Sequence, residues 1–336
     1  MTFPSDRNSA GFLAHARLSR RAVIAGAGAA LVLPAALGPA NFARAQILGT
    51  GGATAYRRMI GEIEVTAILD GFIEIGREAL VGIDDAELAE ALVTANRDPE
   101  QAVPTGITAH LLRTPDRVIL VDAGASNGFG PTAGRLMAGL TAAGITPDDV
   151  DLILVTHMHG DHIGGLLADG APAFPNAEVR IAAADLDFWT DEAIAAQAPA
   201  DFQSFFALPR AVATAYGERI TPFADADEVA TGITAVALPG HTPGHSGFHV
   251  ESAGQRLLLW ADVVHLASVQ FARPEAGIVF DTDVAEAATT RARVLDMVAS
   301  EGLLFAGAHL PFPAFGYAEA AGDGAYIWRP EEWAYQ

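Results

Sequence analysis

Residues 156–162 read Thr156-His157-Met158-His159-Gly160-Asp161-His162, with four side chains able to bind a metal inside six residues. They follow Leu152-Ile153-Leu154-Val155, a continuous apolar run of the kind required by a strand buried on both faces. A strand end passing into a loop can aim closely spaced imidazoles at one point. His157 and His159, two apart, can reach one cation, and Asp161 and His162 can turn toward a second. Gly160 lets the backbone bend between the two pairs. A helix is expected to begin after Ile163, at Gly164-Gly165-Leu166. The competing reading is a histidine-rich surface loop. The order His-x-His-x-Asp-His in a strand-to-helix turn is too specific for it.

Composition narrows the donors. The 336 residues include no Cys, so neither a disulfide nor a thiolate ligand exists, and any metal must be held by imidazole and carboxylate. All 20 basic residues are Arg, against 41 acidic ones, for a net charge of −21. That acidity disfavours nucleic acid, whose phosphates need a basic face, and disfavours adhesion to anionic lipid. About half the residues are apolar, ample for a large core.

The N-terminus reads as a targeting segment. Within Leu18-Ser19-Arg20-Arg21-Ala22-Val23-Ile24-Ala25-Gly26, two arginines precede an apolar run from Ala22 to Leu37, and Ala43-Arg44-Ala45 supplies a small-x-small cleavage signal before Gln46. The paired arginines resemble a twin-arginine export signal. A membrane anchor is the alternative. The run has only 16 residues and contains Pro34, short of the roughly 20 needed to span hydrocarbon. Residues 1–45 are therefore expected to be cleaved, leaving a periplasmic or secreted protein without stable membrane insertion. No second stretch is long enough to span a bilayer.

One α/β domain over 46–336 is the economical organisation. The segment from Gly61, GEIEVTAILDGFIEI, alternates in polarity and reads as a β-hairpin turning at Asp70-Gly71. A helix is expected over Asp84–Ala95, strands at Thr108–Leu112 and Val118–Val121, and a helix over Pro131–Ala143. Ala183–Ala215 is mostly helical. Strands follow at Ile233–Leu238, Ser246–Glu251 and Leu257–Ala261, then a helix over Val284–Ala299 and a last strand at Leu303–Ala306.

With its buried strand, the metal loop resembles that of the metallo-β-lactamase superfamily, and further motifs follow in that family's order. Leu120-Val121-Asp122-Ala123-Gly124 matches the early Asp-x-Gly turn, Pro239-Gly240-His241-Thr242-Pro243-Gly244-His245 the third motif, Asp262 the bridging carboxylate and His309 the terminal histidine. The resemblance implies a four-layer αβ/βα sandwich of two mixed sheets flanked by helices, with the site at one sheet edge. It implies two divalent cations. His157, His159, His241 and a share of Asp262 would hold one; Asp161, His162, His309 and the other share would hold the second. Nitrogen and oxygen donors with open positions fit catalytic Zn²⁺. Asp122 would orient a ligating histidine. His245 and His249 are expected to be structural.

The C-terminal half resembles methyl-parathion hydrolases and their lactonase relatives, in Gly240–Phe271 and in Ala306–Gly316, as do Phe129–Leu136 and Asp187-Phe188-Trp189. That resemblance implies an aromatic pocket of Phe129, Trp189 and Phe205, the last drawn from a Phe205-Phe206 doublet that fits either ring. His265 stands where the organophosphate specialists carry an aliphatic residue, and a donor there would suit a lactone oxygen. Ile278 and Phe280 look bulkier than their counterparts, implying a tighter pocket.

The expected chemistry is hydrolysis of a lactone, an aryl ester or an organophosphate triester. Two cations lower the pKa of a bridging water, and the resulting hydroxide attacks the carbonyl. Asp262 bridges the ions, and Asp161 relays the proton to the leaving group. A dedicated phosphotriesterase is the alternative enzyme. A non-catalytic periplasmic metal-binding protein is the alternative of another class. A homodimer is compatible with either.

Overall fold

Along the strand Gln255–Ala261, Leu257 and Leu259 face one side and Leu258 and Trp260 the other, and all four are buried. A strand covered on both faces needs a layer on each side. Leu257 and Leu259 join a core with Val65, Ala67, Leu152 and Leu154 of a second sheet. Leu258 and Trp260 join Val294, Leu295 and Val298 of the helix Val284–Glu301. The computed structural model describes residues 55–332, which lie in the compact unit Ala53–Gln336. The expected export signal at 1–45 falls outside the described residues. Among the described residues, no helix is long and apolar enough to cross a membrane.

The first sheet has seven strands in the order Ala55–Ile60, Ile63–Ile75, Val103–Arg113, Val118–Val121, Leu152–Val155, Glu178–Ala182, Ile220–Phe223. Its first four strands are antiparallel neighbours, and its last four are joined in parallel. The second sheet runs Glu228–Ala230, Ile233–Ala237, Ser246–Ser252, Gln255–Ala261, Leu304–Gly307, Phe315–Gly322, Ala325–Pro330. Helices Leu136–Ala142 and Ala183–Thr190 pack on the first sheet and Val284–Glu301 on the second. This is the expected αβ/βα sandwich.

Parallel pairing places the site. Val121 lies opposite Leu154, so Asp122 and His157 leave their strands at the same end. In the second sheet Ala261 lies opposite Gly307, so Asp262 and His309 emerge together. Open α/β sheets bind ligands just beyond such carboxyl ends.

Three local expectations are corrected. Asp70-Gly71 is a bulge inside one long strand, Ile63–Ile75, and the hairpin is made with Ala55–Ile60 instead. The reason is the buried Asp70 carboxylate, which accepts N–H bonds from Ala125, Gly134 and Leu136. The bulge re-aims this side chain toward them. The helix expected from Pro131 spans only Leu136–Ala142, since Gly130 and Gly134 take positive φ (87° and 85°). The helix expected at Gly164 is present as a 3₁₀ turn, Gly164–Leu166, but it is preceded by a short α-helix, Gly160–Ile163, that the sequence reading missed.

Candidate metal centre

The metal loop is fixed from below by Asp122, whose backbone turns at φ 61° just after Val121. One Asp122 oxygen accepts the Thr156 N–H at 2.9 Å; the other accepts the Thr156 hydroxyl at 2.8 Å and His162 Nδ1 at 2.8 Å. Since the Thr156 hydroxyl spends its proton on Asp122, His157 Nδ1 must donate to Thr156 Oγ1 at 3.1 Å. Both rings thereby turn Nε2 toward the site, the nitrogen that must shed any proton before it can bind a cation. The same logic holds opposite. His241 Nδ1 donates to Asp281 Oδ1 at 2.8 Å, and His309 Nδ1 to the Gly106 carbonyl at 2.7 Å. Outer hydrogen bonds of this kind set tautomer and aim in metal sites.

The inward atoms converge. His157 Nε2 lies 3.1 Å from His159 Nδ1, which lies 3.0 Å from His241 Nε2. Asp262 Oδ2 is 3.3 Å from His241 Nε2 and 3.1 Å from His309 Nε2, while Asp262 Oδ1 is 3.3 Å from His162 Nε2. Asp161 Oδ2 lies 3.4 Å from His309 Nε2 and 3.7 Å from His162 Nε2. Donors 2.0–2.1 Å from one cation stand about 3.4 Å apart in a tetrahedron and about 2.9 Å apart at right angles. The observed spacings, 3.0 to 3.7 Å, fall within or just above that range. Four overlapping sets could each hold an ion: His157, His159 and His241; Asp161, His162 and His309; His157, His162 and Asp262; and His241, Asp262 and His265. His162 Nε2 and Asp262 Oδ1 are buried without a hydrogen-bond partner, a costly state that a bound cation would relieve. The donor set fits two divalent cations.

Proton affinities follow from burial and charge. Burial, reinforced by His162, pushes the His157 pKa well below its ordinary value. For His241 burial works the same way, but hydrogen bonds to Asp262 and Asp281 outweigh it and raise the pKa to about 9. Burial would raise Asp262, yet His162, His309 and His157 hold it well down. Protons and metal thus compete for the same lone pairs.

His265 joins this cluster. Its Nε2 lies 3.2 Å from Asp262 Oδ2, its ring stacks on His309 at 5.0 Å, and its buried Nδ1 has no hydrogen-bond partner. Burial lowers its pKa to about 4, so the ring is neutral at pH 7. His245 is structural in its contacts: Nδ1 donates to the Leu238 carbonyl and Nε2 accepts the Asp262 N–H.

Of the expected pocket, Trp189 lies edge-on to His159 at 5.3 Å. Phe129, 40% exposed, covers Gly160 so closely that a Cβ there would sit 3.2 Å from the ring. Close approach, and not a bend, is what Gly160 supplies. The doublet resolves toward Phe206, which is buried against Trp189 at 4.8 Å; Phe205 is 43% exposed and packs on Phe202. Ile278 is fully buried in a core with Leu80, Leu88, Leu92 and Val269, and Phe280 packs partly buried against it. Ile278 thus contributes to that core.

The sequence reading missed Asp281, whose place just before the helix cap Asp283 makes it look like ordinary capping. It also missed Asp185, a buried carboxylate that accepts the N–H groups of Met158 and Gly244 and so ties the two histidine loops together. Nothing in the local pattern of Asp185 distinguishes it from a polar helix residue.

Comparison with known proteins agrees with this architecture. Residues 102–309, which contain all seven expected ligands, match the metallo-β-lactamase superfamily. A solved hydrolase of the β-lactamase superfamily, AbOPH, is 32% identical, with a TM-score of 0.79 over 85% of this chain and 100% of that one. AidC, a dizinc quorum-quenching lactonase solved with N-hexanoyl-L-homoserine as product, is 25% identical, with a TM-score of 0.78 over 84% of this chain and 100% of that one. A probable metal-dependent hydrolase from Staphylococcus aureus shares the fold at 20% identity and a TM-score of 0.66, over 82% and 100%. The chain belongs to the metallo-β-lactamase superfamily and shares its metal-dependent hydrolase architecture.

Proposed function

We propose that the protein is a binuclear metal hydrolase of lactones and aryl esters, with side activity on organophosphate triesters. The observation that carries this reading is His265, a neutral ring with Nε2 3.2 Å from Asp262 Oδ2, inside the donor cluster. His157, His159 and His241 would hold one cation, Asp161, His162 and His309 the other, with Asp262 shared. When bound, two zinc ions would supply a nucleophilic water at neutral pH and polarise the ester carbonyl. The chain does the rest. His265, whose Nε2–H faces Asp262 Oδ2 at 3.2 Å, would turn that N–H to a carbonyl or ring oxygen of the substrate once Asp262 is taken up by the cations. Asp161, beside His309, passes a proton to the departing alkoxide. Trp189, Phe206 and Phe129 bound the apolar side and limit water. AidC's description as a dizinc lactonase supports both the metal and the substrate class.

A dedicated phosphotriesterase is the second reading. The place of Ile278 in that core favours it, because bulk held among core side chains does less to narrow the pocket. We further propose export by the twin-arginine route and cleavage before Gln46. The deciding experiment is elemental analysis with a hydrolysis panel on zinc-loaded protein: homoserine lactones, dihydrocoumarin, phenyl acetate, paraoxon and penicillin. Two metals per chain and preference for lactones or aryl esters are expected. Asp262→Ala should remove more than about nine-tenths of the rate, since metal activation supplies several kcal/mol. One metal or none in active protein, or paraoxon as the best substrate, would overturn the reading.

A further inference from the structure

Arg291 lies on the buried face of the helix Val284–Glu301 and is 1% exposed. A buried guanidinium needs several acceptors and a counter-charge. Its Nε donates to the Val263 carbonyl at 2.7 Å, and its Nη1 to the carbonyls of Pro274 and Ala276, both at 2.8 Å. Its Nη2 lies 4.0 Å from Asp281 Oδ2. That oxygen also accepts the Ile278 N–H at 3.0 Å, while Asp281 Oδ1 accepts from His241 Nδ1. The main chain follows the same route. The N–H groups of Thr282 and Asp283 donate to the carbonyls of His241 and Gly240, and the Thr290 hydroxyl donates to the Pro239 carbonyl. Helix, Asp281 and the His241 loop are thus one hydrogen-bonded body, and the three acceptors of Arg291 lie in the segment that also carries His265.

We propose that Arg291 and Asp281 form a charged strut that aims His241 Nε2 at its cation, so that both are positioning residues for the metal centre. The proposal rests on the reading of His241 as a ligand. Arg291 has two roles in it. It stitches the 263–276 segment, and its charge keeps Asp281 an acceptor for two donors at once. An amide at position 281 cannot do this, because Asn offers one acceptor oxygen where His241 and Ile278 present two N–H groups.

The test is a two-step Co²⁺ titration of the full-length chain by chelator competition, with circular dichroism to verify folding. The unaltered protein should take up two ions. Asp281→Asn should weaken one of them by about 10- to 100-fold, the usual effect of removing an outer partner of a ligating histidine, and leave the other unchanged. Arg291→Met should weaken the same ion. Its effect should shrink when introduced on top of Asp281→Asn, because the two act through one contact. Should Arg291→Met not fold, the cycle is run with Arg291→Gln, which removes the charge but keeps an N–H donor, and is read in the same way. An equal effect of the Arg291 variant in both backgrounds would sink the strut, as would unchanged affinities in the variants. No Co²⁺ uptake by the unaltered protein would sink the metal reading itself and the strut with it.

Discussion

His157, His162, His241 and His309 each have a hydrogen-bonded anchor behind the ring, and His265 has none. His159 also lacks such an anchor, so its absence does not by itself tell a ligand from a substrate partner; under the proposed function His265 is the substrate partner. His265→Leu should therefore lower kcat/KM for lactones by about 5- to 150-fold, the loss of one hydrogen bond of 1–3 kcal/mol. Phosphotriester hydrolysis should hold or rise. The ratio of the two constants divides out shared losses of metal or folding, and equal losses would reduce His265 to a structural role. His110 offers a second residue-scale test, away from the metals. It is buried in the strand Val103–Arg113 beside Phe315, Nε2 has no partner, and burial lowers its pKa to about 4. As the pH falls, the unfolded chain takes up this proton first. The contribution to stability is thus complete above about 6.5 and is lost toward about 4. Chelated wild type should lose about 2 kcal/mol more than His110→Leu between pH 7 and 4.5, since each pKa unit is worth about 1.4 kcal/mol. Equal losses in urea unfolding at the two pH values would refute this. The donors of the metal loop were legible because they sit together in sequence. Asp281 and Arg291 were not, since a capping carboxylate and a helical arginine look the same whether they face solvent or a metal ligand.

Elements were legible where burial imposes a period. Leu152–Val155 and Val118–Val121 are apolar throughout because both faces are covered, and both were readable. The final hairpin, Phe315–Gly322 with Ala325–Pro330, was not. Its outer residues are largely exposed, so hydrophobic alternation fades, although Asp323-Gly324, with φ of 51° and 76°, is a favoured hairpin turn. Packing between elements is strictest where the metal loop crosses the Asp122 turn. Ala123 N–H donates to the His162 carbonyl at 2.6 Å and Gly165 N–H to the Gly124 carbonyl at 3.2 Å. A Cβ on Gly165 would fall onto the Ala123 carbonyl oxygen, which is backbone and cannot swing aside. Gly165→Ala should cost about 1–3 kcal/mol in chemical denaturation, as overpacking usually does. Gly128→Ala, where a Cβ meets nothing within 4 Å, should stay within about 0.5 kcal/mol. Similar values for the two variants would show that the crossing can relax.

At the scale of the whole molecule, the sandwich was legible through motif order, because each donor follows a strand end and strand ends gather at one rim. Its exact strand order was not, since nothing in the sequence states which edge Glu228–Ala230 or Ala325–Pro330 occupies. Removing residues 1–45, with five Arg and one Asp, would deepen the net charge to −25, further from any nucleic-acid partner. The described fold begins with the strand Ala55–Ile60, beyond Gln46, so cleavage there would leave every described strand intact. Intact-mass measurement of periplasmic protein should place the new terminus near Gln46, and a retained Met1 would contradict the export proposal. The hydrogen bond from His309 to the Gly106 carbonyl spans 203 residues. Contacts so distant in sequence form late, after much loop entropy has been lost. A chain cut short of His309, or one whose sheets have not yet docked, lacks the last donor of the second set. Tight retention of both ions would then distinguish finished molecules from unfinished ones, and the metal centre would serve as its own checkpoint for assembly.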